Sequence, residues 1–128
     1  MRELVFIAIG GSVGAVSRYL VSKGVNMLSF SIFPYGTLVV NTLGAGLIGF
    51  LFSYFNDLIL PVHYKSMITI GFLGAFTTFS TYSLESVNLF LGGEYKIGTL
   101  NILLNNFISL AAVLAGILIF RLIQNQGV

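Results

Sequence analysis

The chain contains no cysteine and no tryptophan, has two prolines, and only 8% of its 128 residues are Asp, Glu, Lys or Arg. Without cysteine, disulfides and thiolate-held metals are excluded, and the redox compartment leaves no mark on the sequence. So little charge excludes an ordinary soluble domain, where about a quarter of residues are charged. A net charge of +2, scattered rather than clustered, gives no nucleic acid a surface to bind. The alternating ten-residue segments of a membrane β-barrel are also absent.

What is present is apolar: 56% of residues are hydrophobic and the mean hydropathy is +0.97, so water is not the main solvent. Charged residues occur at Arg2, Glu3, Arg18, Lys23, Asp57, Lys65, Glu85, Glu94, Lys96 and Arg121, leaving uncharged runs at Leu4–Ser17, Gly24–Asn56, Ser66–Leu84 and Ile97–Phe120. A bilayer core of about 30 Å is crossed by about 20 helical residues. Spans are therefore predicted at Leu4–Val21, Tyr35–Phe55, Lys65–Phe90 and Ile97–Arg121, all helical because hydrocarbon offers an open backbone no partner. The reading is an all-α membrane protein with four transmembrane helices, one domain over residues 1–128, multi-pass in the lipid bilayer of the cell membrane. Arg2 ahead of an apolar run has the outline of a signal peptide, but Glu3 offsets its charge and three similar spans follow.

Loops are predicted at Asn26–Pro34, Asn56–His63 and the tight Gly92-Gly93-Glu94 turn. Gly10 with Gly14, Ala45 with Gly49 and Ala112 with Gly116 form small-x-x-x-small pairs, which let helix backbones approach in lipid. They serve either packing within one subunit or a subunit interface, and sequence leaves both open. Arg2, Lys65 and Arg121 fall on one side of the membrane and Arg18, Lys23 and Lys96 on the other. Excess Lys and Arg normally fixes the cytoplasmic side. A tie leaves insertion undecided, so an antiparallel dimer becomes possible.

Polar groups at membrane depth are costly, which makes them the candidates for function. Arg18 closes Gly10-Gly11-Ser12-Val13-Gly14-Ala15-Val16-Ser17-Arg18-Tyr19 at the end of the first predicted span. Asn41 lies inside the second, where its amide needs a partner or a wet cavity. In Gly71-Phe72-Leu73-Gly74-Ala75-Phe76-Thr77-Thr78-Phe79-Ser80-Thr81-Tyr82-Ser83-Leu84-Glu85, hydroxyl residues crowd the centre of the third. The pattern predicts a helix broken near the midplane, as tolerated where backbone groups line a cavity or hold an ion. Glu85, one turn past Thr81, is placed to accept that hydroxyl's hydrogen bond. Phe79 and Tyr82 are an i, i+3 aromatic pair, while Asn101, Asn105 and Ser109 form a polar stripe on the fourth span, with Asn106 pointing elsewhere.

The Gly-Gly-x-x-Gly-Ala-x-x-Arg-Tyr, Gly-Thr-Leu-x-Val-Asn-x-x-Gly and Gly-Phe-x-Gly-x-x-Thr-Thr-Phe-Ser-Thr-x-x-x-Glu segments, in this order, resemble the Fluc family of fluoride channels, also called CrcB. The resemblance covers nearly the whole chain. It implies an antiparallel dual-topology dimer with two fluoride pathways, a structural sodium ion at the dimer centre, and passive fluoride efflux. Carried over by position, it makes Asn41 the pore-facing amide, Phe79 and Tyr82 the aromatic positions, and Ser80 and Thr81 the hydroxyl track. It sets Glu85 and Arg18 near the pathway mouths, adds Asn105 and Ser109 more loosely, and assigns sodium to the Gly74 and Thr77 carbonyls. The family usually has Phe at both aromatic positions. Tyr82 departs from that, which keeps open a heterodimer with a diverged homologue beside the homodimer.

Two other readings compete. A small multidrug-resistance-type exporter would resemble this chain in size but needs a mid-membrane Glu in the first span, where only Glu3 stands at the mouth. A non-transporting accessory membrane subunit would need the polar stripes to be helix glue alone. An enzyme finds no support: His63 is isolated, and Gly10-Gly11-Ser12-Val13-Gly14 follows no strand and so forms no phosphate loop.

Overall fold

The computed structural model describes residues 1–125, and Gln126, Gly127 and Val128 of the predicted domain lie outside the described residues. Four helical spans, Arg2–Leu28, Tyr35–Asp57, Val62–Leu91 and Tyr95–Asn125, are each long and apolar enough to cross a membrane. The first, second and fourth are the continuous helices α1 (Arg2–Leu28), α2 (Tyr35–Asp57) and α6 (Tyr95–Asn125). The third is assembled from α3 (Val62–Ser66), a π-helical segment (Met67–Leu73), α4 (Gly74–Phe76) and, after an interruption at Thr77–Thr78, α5 (Phe79–Leu91).

The predicted broken third helix is therefore present, and it breaks at the hydroxyls. Thr77 and Thr78 are both extended, with φ/ψ of −86°/158° and −149°/117°. Gly71 and Gly74 stay helical. The first loop begins later than expected, because α1 runs past Val21 to Leu28. Lys23 remains within it by laying its ammonium on the Tyr19 hydroxyl at 3.3 Å, and Asn26, still helical, accepts the Gly36 N–H at 2.8 Å. Arg18 is thereby a mid-helix residue rather than a terminal one. The Gly92-Gly93-Glu94 turn forms as read. Glu94 N–H closes on Leu89 O at 2.8 Å and Gly93 N–H on Phe90 O at 3.1 Å; Gly93 supplies the positive φ of 82° that this C-terminal cap needs.

Two backbone-to-backbone seams hold the spans together. A methyl group on Gly10 would overlap the Met67 carbonyl oxygen, one on Gly14 that of Phe72, and one on Gly71 would stand 2.6 Å from Ile7 O. α1 thus lies directly on the π-helical segment. On the other side, a methyl on Gly49 would overlap the Val113 carbonyl and one on Gly116 that of Gly46, so α2 and α6 touch in the same way. The pairs Gly10–Gly14, Ala45–Gly49 and Ala112–Gly116 thus contribute Gly10, Gly14, Gly49 and Gly116 to packing within one chain. Val40 and Asn101 sit at its centre, with none of their surface exposed.

Overpacking of such a seam costs about 1–3 kcal/mol. Gly14→Ala and Gly116→Ala should each lower the temperature at which the detergent-solubilised protein loses its monodisperse peak. Gly24→Ala, where nothing lies within 4 Å of the added carbon, should leave it unchanged. Equal behaviour of the three variants would show that the seams carry no weight.

Candidate functional site

Breaking a helix frees backbone groups, and the residues around Thr77–Thr78 are arranged to take them up. Asn41 on α2 faces Thr78 as one base faces another: its Oδ1 accepts the Thr78 N–H at 2.8 Å and its Nδ2 donates to the Thr78 carbonyl at 3.1 Å. The second Nδ2 hydrogen goes to Asn105 Oδ1 at 3.0 Å. Asn105 donates in turn to Asn101 Oδ1 at 2.8 Å, and Asn101 to Ser86 Oγ at 2.9 Å. Ser86 ends the chain on the Tyr82 carbonyl at 2.8 Å. Side chains from three elements thus fix the break, each satisfied by the next, as buried polar groups require.

Thr78 also caps the second half-helix. Its Oγ1 accepts the Thr81 N–H at 3.2 Å, donates to Thr81 Oγ1 at 3.0 Å and lies 3.3 Å from Ser80 Oγ. This corrects the expected Thr81–Glu85 pair. The cap holds the Thr81 hydroxyl one turn back, and Glu85 Oε1 instead accepts from Thr37 Oγ1 on α2 at 2.8 Å. Glu85 Oε2 is buried without a partner. Glu85 lines a separate cavity of about 320 Å³ with Ile32, Pro34, Asn88 and Glu94, at the far end of the span from α3.

Arg18 is also placed differently from its expected position at a mouth. Its Nη1 donates to the Thr77 carbonyl at 3.3 Å. The close approach of Gly14, one turn earlier on α1, to the Phe72 carbonyl brings the guanidinium to the break, where the carbonyls closing the first half-helix attract a cation.

A groove of about 440 Å³ opens beside the break, and its walls bring together Asn41, Gly74, Thr77, Phe79, Tyr82, Asn105 and Ser109. Ser80 and Thr81 are exposed on the chain's surface and do not line it. Phe79 and Tyr82 meet edge to face, centroids 5.3 Å apart at 67°, with Phe79 76% exposed and Tyr82 only 8%. Ser109 Oγ is buried without a partner. Asn106, read as pointing elsewhere, turns into the same groove and donates to the Tyr82 hydroxyl at 2.9 Å. The Asn105 and Asn106 amides therefore reach different neighbours from adjacent positions. Sequence reasoning also missed Ser86 and Thr37 as partners. Ser86 lies one turn past Tyr82, a signal that helical spacing could have supplied.

The groove contains no charged side chain among its lining residues. It offers amides, hydroxyls, ring edges and backbone carbonyls. The Thr78 N–H that would close a continuing helix on the Gly74 carbonyl goes to Asn41 instead, so Gly74 presents an oxygen of the kind that binds a hard cation, while the Thr77 carbonyl already accepts from Arg18 Nη1.

Removing the Asn41 amide leaves the two Thr78 backbone groups and Asn105 Oδ1 without these partners, at about 1–3 kcal/mol for each buried group. In Asn41→Ala, hydrogen exchange of the Thr78 amide should accelerate at least about tenfold while that of α1 stays unchanged. Undiminished protection would show that Asn41 does not hold the break.

Comparison with known proteins bears on these same positions. Residues 5–117 match the family described as CrcB-like protein, Camphor Resistance (CrcB). A relative from a Nitratiruptor species is 45% identical over 90% of this chain and 89% of its own length. One from a Sulfurovum species is 45% identical over 92% of this chain and 93% of its own. One from Dehalococcoides mccartyi is 45% identical over 99% of both. All three carry the name Fluoride-specific ion channel FluC. With the match running through every span and across the broken third helix, the chain belongs to the CrcB family.

Proposed function

We propose that this chain is a subunit of a fluoride-selective channel that lets fluoride leave the cell passively. The observation that carries the reading is the uncharged groove at the break, where the Ser109 hydroxyl stands without a partner beside the Phe79 and Tyr82 rings, in a chain 45% identical to proteins named as fluoride-specific channels. A small, strongly hydrated anion sheds water only where donors replace it. Ser and Thr hydroxyls and the positive edges of aromatic rings do so without full charge. A buried cation at the narrowest part would instead hold the ion. In the pathway we assign Phe79 and Tyr82 to the ring edges, Ser80, Thr81 and Ser109 to the hydroxyls, and Asn41 and Asn105 to the frame that keeps the break open. Glu85 lies in the cavity near one mouth. Arg18 steadies the break itself.

The active unit in this proposal is an antiparallel dimer. Ser80, Thr81 and the ring of Phe79 lie exposed on a single chain within the third span, where lipid would leave the Thr81 hydroxyl hydrogen without an acceptor. A second copy, or a diverged homologue, covers them and completes both pathways. It would also bring its own Gly74 and Thr77 carbonyls to a sodium ion, whose charge would offset the converging carbonyl dipoles. An exporter built on a mid-membrane carboxylate in the first span is disfavoured, because Glu3 sits at the start of α1 and is occupied by Ser66 Oγ at 2.6 Å.

Purified protein in liposomes should release fluoride without a proton gradient while chloride is retained. Comparable chloride flux, or a strict requirement for a gradient, would refute the channel reading. Phe79→Ile removes the ring quadrupole but keeps an apolar side chain, so flux should stop while the detergent elution position is unchanged. Normal flux would remove Phe79 from the pathway. Reporters fused to the C-terminus should be active on both sides of the membrane. Activity on one side alone would exclude the dual-topology homodimer.

A further inference from the structure

Tyr82 differs from a phenylalanine at the second aromatic position by one oxygen, and the structure uses that oxygen. Asn106 on α6 donates to the Tyr82 hydroxyl at 2.9 Å. The same Nδ2 donates to the Ile102 carbonyl at 2.7 Å. These two bonds fix the amide's orientation: turned over, its Oδ1 would face the Ile102 carbonyl oxygen at that distance, acceptor against acceptor. Asn106 can therefore meet Tyr82 only as a donor, and the Tyr82 oxygen must accept. Its own hydrogen points away from Asn106, and among the described residues no acceptor takes it.

The surroundings decide where that hydrogen goes. Tyr82 is 8% exposed, and its ring is held edge to face by Phe79. The open space beside both Tyr82 and Asn106 is the groove, which Ser109 also lines with a buried hydroxyl that has no partner. A phenol O–H is a stronger donor than an aromatic C–H edge and carries no charge. It can bind an anion without the trapping that a guanidinium would cause.

From this arrangement we infer that the Tyr82 hydroxyl is an anion-binding donor in the groove and that Asn106 is the positioning residue that aims it. The inference rests on the fluoride-channel reading and adds to it. In this chain the second aromatic position contributes a hydrogen bond as well as a ring edge. The dependence runs one way: Asn106 acts through Tyr82 and has no separate hold on the ion.

The test is initial fluoride efflux from liposomes, measured over a range of internal fluoride for wild type, Tyr82→Phe, Asn106→Leu and the double variant. Losing one charge-assisted hydrogen bond should raise the half-saturating fluoride concentration about tenfold in Tyr82→Phe. Asn106→Leu, which frees the hydroxyl to rotate, should raise it severalfold. The double variant should match Tyr82→Phe, since removing the aim of an absent hydroxyl changes nothing further. Wild-type saturation behaviour in Tyr82→Phe overturns the inference. So does an additive double variant, which would give Asn106 a role of its own. Failure of Tyr82→Phe to fold would make the hydroxyl a structural group and also overturn it. A wild type that passes no fluoride sinks the channel reading itself, an outcome distinct from a conducting wild type matched by Tyr82→Phe.

Discussion

A helix interrupted in the middle of a membrane leaves carbonyls without donors and amides without acceptors, and hydrocarbon supplies neither. At Thr77–Thr78 both deficits meet. The helical run from α3 ends there with its carbonyls, the electronegative end, and α5 begins there with its N–H groups, the electropositive end. The two halves offer opposite polarity at one place, and the protein answers each with a different group. Arg18 reaches the Thr77 carbonyl. Thr78 caps the N–H of Thr81. Asn41 takes both backbone groups of Thr78 with one planar amide, and that geometry fixes Thr78 in extended conformation more firmly than either bond alone.

The packing derives from the same constraint. A break held by side chains from α2 and α6 stays in place only if those helices cannot slide, and within lipid no hydrophobic effect presses them together. Direct backbone contact at Gly49 and Gly116 fixes α2 against α6. Contact at Gly10, Gly14 and Gly71 fixes α1 against the π-helical segment that leads into the break. The extra residue of a π turn rotates the succeeding residues relative to a regular helix. It sets where Thr77 and Thr78 emerge between α1, which brings Arg18, and α2, which brings Asn41.

Much of this was legible in the sequence, for reasons that also mark the limit. Four spans could be read because charge is excluded from hydrocarbon, and the break because Thr77, Thr78, Ser80, Thr81 and Ser83 crowd a stretch where lipid offers hydroxyls nothing. α1 runs past the end that its charge pattern predicts, to Leu28. Lys23 reads as a stop by charge, but a long side chain can lie back on Tyr19 while the backbone continues helical. Glycine spacing identified close contacts without naming the partner, because a missing Cβ says that something approaches and not what. Asn106 lies off the i, i+4 stripe, and by spacing alone it points elsewhere. Neighbouring positions on a helix point about 100° apart, yet a groove between three helices is wide enough to collect both Asn105 and Asn106.

Polar groups in the membrane are of two kinds here, distinguished by whether their hydrogens are already used. Asn41, Asn101 and Asn105 donate within a closed relay that ends on Ser86, so their amides hold the frame and have little left to give an ion. The Ser109 hydroxyl stands beside the same groove without a partner. An amide relay is rigid because each member is oriented by the next. A free hydroxyl is adaptable because its hydrogen turns on a single bond. An anion that must bind and then leave needs donors that rotate with it, set on a frame that does not move. This division explains why the most buried polar side chain of the described residues, Asn101, lies behind the groove while the groove itself keeps the unpaired Ser109 hydroxyl.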